Sequence, residues 1–214
     1  MQNKLRPKTL IATALLIILP VVASAAEREY PTRPIRIIVP QSPGASTDLT
    51  ARLVAQKLNE AFRQPVIVDN RPGASGIAGT EIVARAAADG YTLMVVASSF
   101  SINPALGRKM PYDAIRDFTA VSQLSKFPNM LAAHPSTPVK TLQEVIAMAK
   151  AKPGQFTYAS AGLATGTHMT AELLKYMTGI DLLHVPYKGG GPAMAAAIGG
   201  QTQQVISTTI GLLP

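Results

Sequence analysis

From residue 35 onward, short β-branched runs alternate with runs of helical period, and this alternation confines the chain to an α/β fold with parallel strands. Ile35 to Val39 reads as a first strand. Ser46 or Thr47 can cap a helix whose apolar Leu49, Leu53, Val54 and Leu58 recur at three to four residues. Pro65 to Asp69 is a second strand, followed by a helix to about Ala87, a turn at Asp89 and Gly90, and a third strand from Tyr91 to Val96. This gives a β-α-β-α-β unit with short connections, and the third strand runs out into Ser98 and Ser99.

After it the periodicity lapses. Residues 101 to 118, with Asn103-Pro104 and Pro111, read as irregular, and Phe118 to Leu124 reads as a strand leaving the first unit. The alternation restarts at Asn129 to Ala133. Thr141 caps a helix to about Lys150, Phe156 to Ser160 is a strand, a helix runs from about Thr167 to Met177, and Gly179 ends it. Leu182 to Val185 is a further strand, Gly189 to Gly191 a loop, Pro192 the first turn of a helix, and Gln203 to Thr208 a last strand. The expected organisation is a first α/β lobe over residues 26–125 and a second over 126–214.

The first 25 residues bear on compartment. Lys4, Arg6 and Lys8 precede an apolar run over residues 9–22, and Ala23-Ser24-Ala25 has the small-x-small pattern of a cleavage site. An export signal cut near Ala25 is expected, hence an exported protein. A retained amphipathic or anchoring terminus is the alternative. Cleavage would remove three bases and no acids, lowering the net charge from +8 to +5. The remaining bases are scattered and aromatics are 5% of residues, which argues against a nucleic-acid surface. A mild positive field favours small anions instead. With no cysteine, a disulfide framework is excluded and a packed core must hold the fold.

Two loops carry the functional signal. Each follows a strand and opens a helix, so each can turn backbone N–H groups and a partial positive charge toward an anion. The first contains Ser42, Gly44, Ala45, Ser46, Thr47 and Asp48; the second contains Ser160, Ala161, Gly162, Thr165, Gly166, Thr167 and His168. Either could be an ordinary strand-to-helix connection whose hydroxyls only cap the helix. His168 lies in the first turn of its helix, where a structural donor is commoner than a general base. There is no G-x-S-x-G elbow, which weakens a hydrolase reading.

Gly73, Gly76 and Gly79 are spaced G-x-x-G-x-x-G rather than G-x-G-x-x-G, and no acidic residue ends the next strand. This pattern suits close helix–strand packing better than a dinucleotide site. Lys188 precedes three glycines with no G-K-[ST] after them, so it is no P-loop, yet it can line a cleft. No histidine pair has metal-ligand spacing, and neither metal nor cofactor is expected.

In order along the chain, Tyr30 to Pro40, Pro43-Gly44 with Asp48 and Arg52, Val68 to Gly73, Asp89 to Leu93, Pro111 to Asp113 with Asp117-Phe118, Tyr158 to Gly162, His168 with Glu172, and His184 to Gly189 form a specific series. In this series the chain resembles the periplasmic substrate-binding receptors of tripartite tricarboxylate transporters, the Bug-type receptors. The resemblance implies a two-lobed, type II periplasmic-binding-protein-like architecture that closes on its ligand like a flytrap. It also implies a monomeric receptor, without enzymatic activity, that grips a small carboxylate between the two loops and delivers it to a membrane permease. Ser98, Ser99, Tyr187 and Lys188 join the loop residues as the expected ligand-binding set. The family's first loop commonly reads Phe-Pro-Pro-Gly-Gly, where this chain has Gln41 to Ala45; in the second loop Leu163 and Ala164 replace a commoner polar residue and glycine. Receptors of the family usually continue for roughly another hundred residues, so the second lobe and the return to the first are expected to be incomplete here. Two other readings stay open: an α/β enzyme using His168 with Ser160 or Asp48, and a remnant without activity.

Overall fold

The computed structural model describes residues 30–209. The expected export signal and the last five residues lie outside the described residues. Among those described, no helix is long and apolar enough to cross a membrane.

Strands β1 (Ile35–Val39), β2 (Val66–Asn70) and β3 (Thr92–Met94) form a parallel sheet in the order β2-β1-β3. Such a sheet is covered on both faces, so its central strand is apolar almost throughout. Ile35, Ile37 and Val39 of β1 pack with Ala51 and Ala55 of helix α1 (Ser46–Phe62), while Ile38, on the opposite face, is equally inaccessible. Helix α2 (Ile77–Ala84) contacts β1 and β3. Gly79 allows this approach: a Cβ there would lie 2.5 Å from the Arg71 carbonyl oxygen and 2.9 Å from Pro40 Cα.

Strands β4 (Asn129–Ala133), β5 (Phe156–Ser160), β6 (Leu182–Pro186) and β7 (Gln204–Thr208) form a second sheet in the order β4-β7-β5-β6. β5 runs parallel to β6 and β7, whereas β4 pairs antiparallel with β7, from Asn129 opposite Thr208 to Ala133 opposite Gln204. One face packs Phe156, Tyr158, Leu182 and Ile206 against Val145 and Ala149 of α4 (Leu142–Ala151) and Ala171 of α5 (Gly166–Thr178). The other packs Ala159 and Val205 against Ala193 and Ala197 of α6 (Gly190–Ile198). The two-residue period of a strand divides these neighbours between the layers. Thr141 and Glu144 make a reciprocal capping box at the start of α4.

Three expectations are corrected. Residues 101–118 are not wholly irregular, because helix α3 (Ser99–Ala105) reaches into them with Pro104 in its last turn. Pro104 lacks the N–H that would bond to the preceding turn, and the helix ends one residue after it. Phe118 to Leu124 forms no strand: Val121 and Leu124 are exposed, and no neighbouring strand offers hydrogen bonds. Phe118 is instead held by edge-on contacts to Phe100 and Tyr112 at 5.2 and 5.7 Å between ring centroids. The helix expected to reach Ala87 ends at Ala84, after a 3-10 turn at Ala74–Gly76.

Candidate functional site

The C-terminal ends of the central strands open onto one cleft of about 880 Å³. Loops from both sheets line it, where ligands of open α/β sheets bind. Among the described residues its wall includes Arg108 and Lys188 and no Asp or Glu.

The loop after β1 forms the first wall. Gly44 turns the chain at φ +78°. Its N–H donates to the Asp48 carboxylate at 2.9 Å, which also accepts from Arg52 Nε at 3.1 Å and Asn70 Nδ2 at 3.0 Å. Burial would raise the Asp48 pKa, but the bonds from Arg52, the Gly44 N–H and Asn70 outweigh it and hold the group below the ordinary value of 3.8. Asp48 is 2% exposed and spends its oxygens inside the loop. It is thus a brace for the expected ligand-binding residues and not part of the cleft wall.

Ser46 and Thr47 do not cap α1 as expected, because they lie within its first turn. The N-cap is Ala45, at φ −69° and ψ 156°, which has no side chain able to accept a hydrogen bond. The first-turn N–H groups have no intrahelical acceptor, so α1 opens with its donors uncapped by any side chain. Gly44, Ala45, Ser46 and Thr47 all line the cleft. The Thr47 hydroxyl and the Gln41 side-chain carbonyl are shielded from solvent and bonded to no protein group. Backbone donors, a spare hydroxyl and the positive end of a 17-residue helix suit an anion.

The loop after β5 is built the opposite way. Thr165 is the N-cap of α5 and accepts from the His168 N–H. Its hydroxyl donates to the Gly162 carbonyl at 2.6 Å, and Thr167 Oγ1 accepts from the Ala161 N–H at 3.1 Å. The Gly162 N–H donates to Ser160 Oγ at 3.1 Å, and the Ala164 N–H to His168 Nδ1 at 3.3 Å. Ala161, Gly162, Thr165, Gly166 and Thr167 line the cleft; Ser160 and His168 lie behind it.

Behind the loop, Tyr158, His184 and His168 form a stack with ring centroids 4.8 and 4.3 Å apart. Ser160 Oγ lies 2.6 Å from His184 Nε2, so the partner of Ser160 is His184 and not the His168 of the alternative enzyme reading. His168 contacts the Ala164 N–H and, at 3.9 Å, Glu172. Burial lowers the His184 pKa to about 4, with the neighbouring His168 adding to the shift. Burial likewise lowers that of His168, against an opposing pull from Glu172. Both rings are neutral at neutral pH, and Ser160 is fully buried. Among the described residues no group of three His, Cys, Asp or Glu side chains is arranged to hold a metal.

Ser98, Ser99, Tyr187 and Lys188 reach the cleft as expected. Two hydroxyl bonds join the walls: Ser42 Oγ donates to the Lys188 carbonyl, and Ser75 Oγ donates to that of Leu163 at 2.6 Å. Sequence reasoning missed Ser75, Arg108 and Asn129 as wall residues. Ser75 stands in the glycine run read as a packing device, Arg108 sits outside any helix-opening loop, and Asn129 reads as the start of a strand.

The fold is similar to that of the solved periplasmic binding protein BugD, with a TM-score of 0.80 at 31% identity. Residues 50–214 match the model of the tripartite tricarboxylate transporter family receptor, and the chain belongs to that family. Receptors of this family are periplasmic. BugT of Bordetella pertussis is 39% identical over 182 residues, which are 84% of this chain and 56% of BugT. An R. palustris protein solved with adipate is 35% identical with a TM-score of 0.81, over 84% of this chain and 60% of that one. MatC from Rhodopseudomonas palustris with bound malate is 30% identical with a TM-score of 0.79, over 86% and 63%. The chain therefore spans somewhat under two thirds of the length of these relatives.

Proposed function

We propose that this chain is a periplasmic solute receptor that binds a small carboxylate-bearing ligand in the cleft and delivers it to the membrane permease of a tripartite tricarboxylate transporter. It acts as a monomer and does no chemistry on its ligand. Residues 26–125 and 126–214 serve as the two jaws, with the loops after β1 and β5 facing each other across the cleft. The observation that carries this reading is the wall itself, which among the described residues has an uncapped helix N-terminus, an unbonded Thr47 hydroxyl, two cations and no carboxylate. Such a surface lowers the free energy of an anion and penalises a cation. Adipate and malate in two structural neighbours make dicarboxylates the first ligands to try. Burial of the Ser160 hydroxyl supports binding rather than catalysis, since a nucleophile must reach its substrate.

The test is a thermal-shift and calorimetric screen of the full chain against malate, adipate, succinate, citrate, amino acids and aromatic acids. A ligand at a hundred times its dissociation constant should add about 2.7 kcal/mol to stability. A folded chain that responds to none of them would sink the proposal.

A further inference from the structure

Two cations reach the cleft, and they are held differently. Lys188 is exposed on the loop after β6, where a flexible ammonium keeps its hydration. Arg108 is half-buried beyond α3, and its Nη1 donates to Asn103 Oδ1 at 2.9 Å. Asn103 is 1% exposed and passes the connection on, its Nδ2 donating to the Ser75 carbonyl at 3.1 Å. Ser75 then reaches across the cleft to the Leu163 carbonyl. The guanidinium is therefore fixed to the first wall through a fully buried amide, and that wall is bonded to the opposite loop.

Among the described residues Arg108 has no counter-ion: no carboxylate lies within ion-pair distance of it, whereas Arg36 and Arg71 share Asp69 and Arg52 pairs with Asp48. A half-buried guanidinium has lost hydration that an unpaired cation does not recover, unless an anion arrives to complete it. Asn103 occupies one of its five N–H donors, and two others can bind a carboxylate side by side.

We propose that Arg108 is the specificity-determining residue for a second anionic group on the ligand, the first being held at the uncapped N-terminus of α1. This rests on the carboxylate-receptor reading. Lys188, at the rim, steers anions inward without discriminating among them.

Calorimetry on the full chain would pair succinate, glutarate, adipate and suberate with butyrate, valerate, hexanoate and octanoate, which match them in carbon number and lack the second carboxylate. At least one dicarboxylate should bind more than about tenfold tighter than its partner, in keeping with a buried polar site that needs its complement. Arg108→Gln should erase that preference, weakening the dicarboxylate about tenfold or more and the monocarboxylate less than about twofold. Arg108→Lys should restore part of it, and Lys188→Gln should leave it in place. Thermal unfolding of each variant without ligand separates a folding defect from a lost contact. Equal weakening of both ligand series by Arg108→Gln, or a preference that survives it, would overturn the role of Arg108 while leaving a carboxylate receptor standing. A folded chain that binds none of the eight acids would overturn the role of Arg108, and the receptor reading falls with it only where malate, citrate, amino acids and aromatic acids fail as well.

Discussion

The loops after β1 and β5 look alike in sequence and are built for different tasks. Both follow a buried strand and open a long helix with small and hydroxylated residues. Ala45 leaves the donors of α1 uncapped, whereas Thr165 caps α5 and knots its own loop to Gly162 and Thr167. In the first loop the Thr47 hydroxyl is left without a protein partner, and Asp48 braces the loop from beneath by accepting from the Gly44 N–H and from Asn70. The polar atoms of the second are largely spent internally, backed by the Tyr158–His184–His168 stack. One loop offers bonds and the other offers a rigid shape. Two loops of the same motif can thus divide binding energy from preorganisation, a distinction visible only in where each hydrogen bond goes.

The sharpest way to break this contrast is to cap the open helix. Ala45→Asp places an acceptor and a negative charge over the N-terminus of α1. Helix stability should rise by about 1 kcal/mol, while carboxylate affinity should fall about a hundredfold through lost donors and repulsion. Ala45→Ser should give a smaller loss of affinity with a similar gain in stability. Urea unfolding and calorimetry together check it. Affinity unchanged in Ala45→Asp would mean that the ligand's charge does not sit at α1.

The loops should also separate by pH. His184, depressed to about 4 by burial, takes up a proton more readily when unfolded, so its stabilising effect is complete above about pH 6.5 and is lost as pH falls toward 4. The loss should reach about 2 kcal/mol, after allowance for partial solvent screening. Asp48 is depressed as well, but as an acid: its contribution persists down to its ordinary value and is lost only below about pH 4. Denaturation at pH 7, 5.5 and 4.5 should therefore weaken the second loop before the first. His184→Gln should flatten that slope, and a slope unchanged in this variant would place the titration elsewhere.

Much of the fold was legible because periodicity reports burial. The strand Ile35 to Val39 and the strand Phe156 to Ser160 stand where their β-branched or apolar runs put them, and Gly179 ends α5 in a left-handed cap as read. Phe118 to Leu124 misled for the same reason, since an apolar run forms a strand only where a neighbouring strand can pair with it. The motif located both loops but not the direction of their bonds. Asp48 and Ser160 have the right chemistry and face inward, because Arg52 and Asn70 hold the one and His184 the other. Replacing the commoner glycine with Ala45 costs no strain, since its φ is −69°, whereas Ala164 stands at φ +57°, where glycine is favoured. Arg108 carried no local signal at all: its place on the wall depends on Asn103 and on a helix that interrupts a segment read as irregular.

The smallest effect tests whether the second loop supports itself. Thr165→Ala removes the cap on α5 and the bond to the Gly162 carbonyl, which should cost about 1 kcal/mol of stability. If the loop supplies shape rather than contacts, affinity should fall only about threefold, through looser positioning. Thr165→Ser, which keeps the hydroxyl, should recover both. A large loss of affinity with unchanged stability would mean that the Thr165 hydroxyl bonds the ligand directly, and the division of labour between the two loops would then fail.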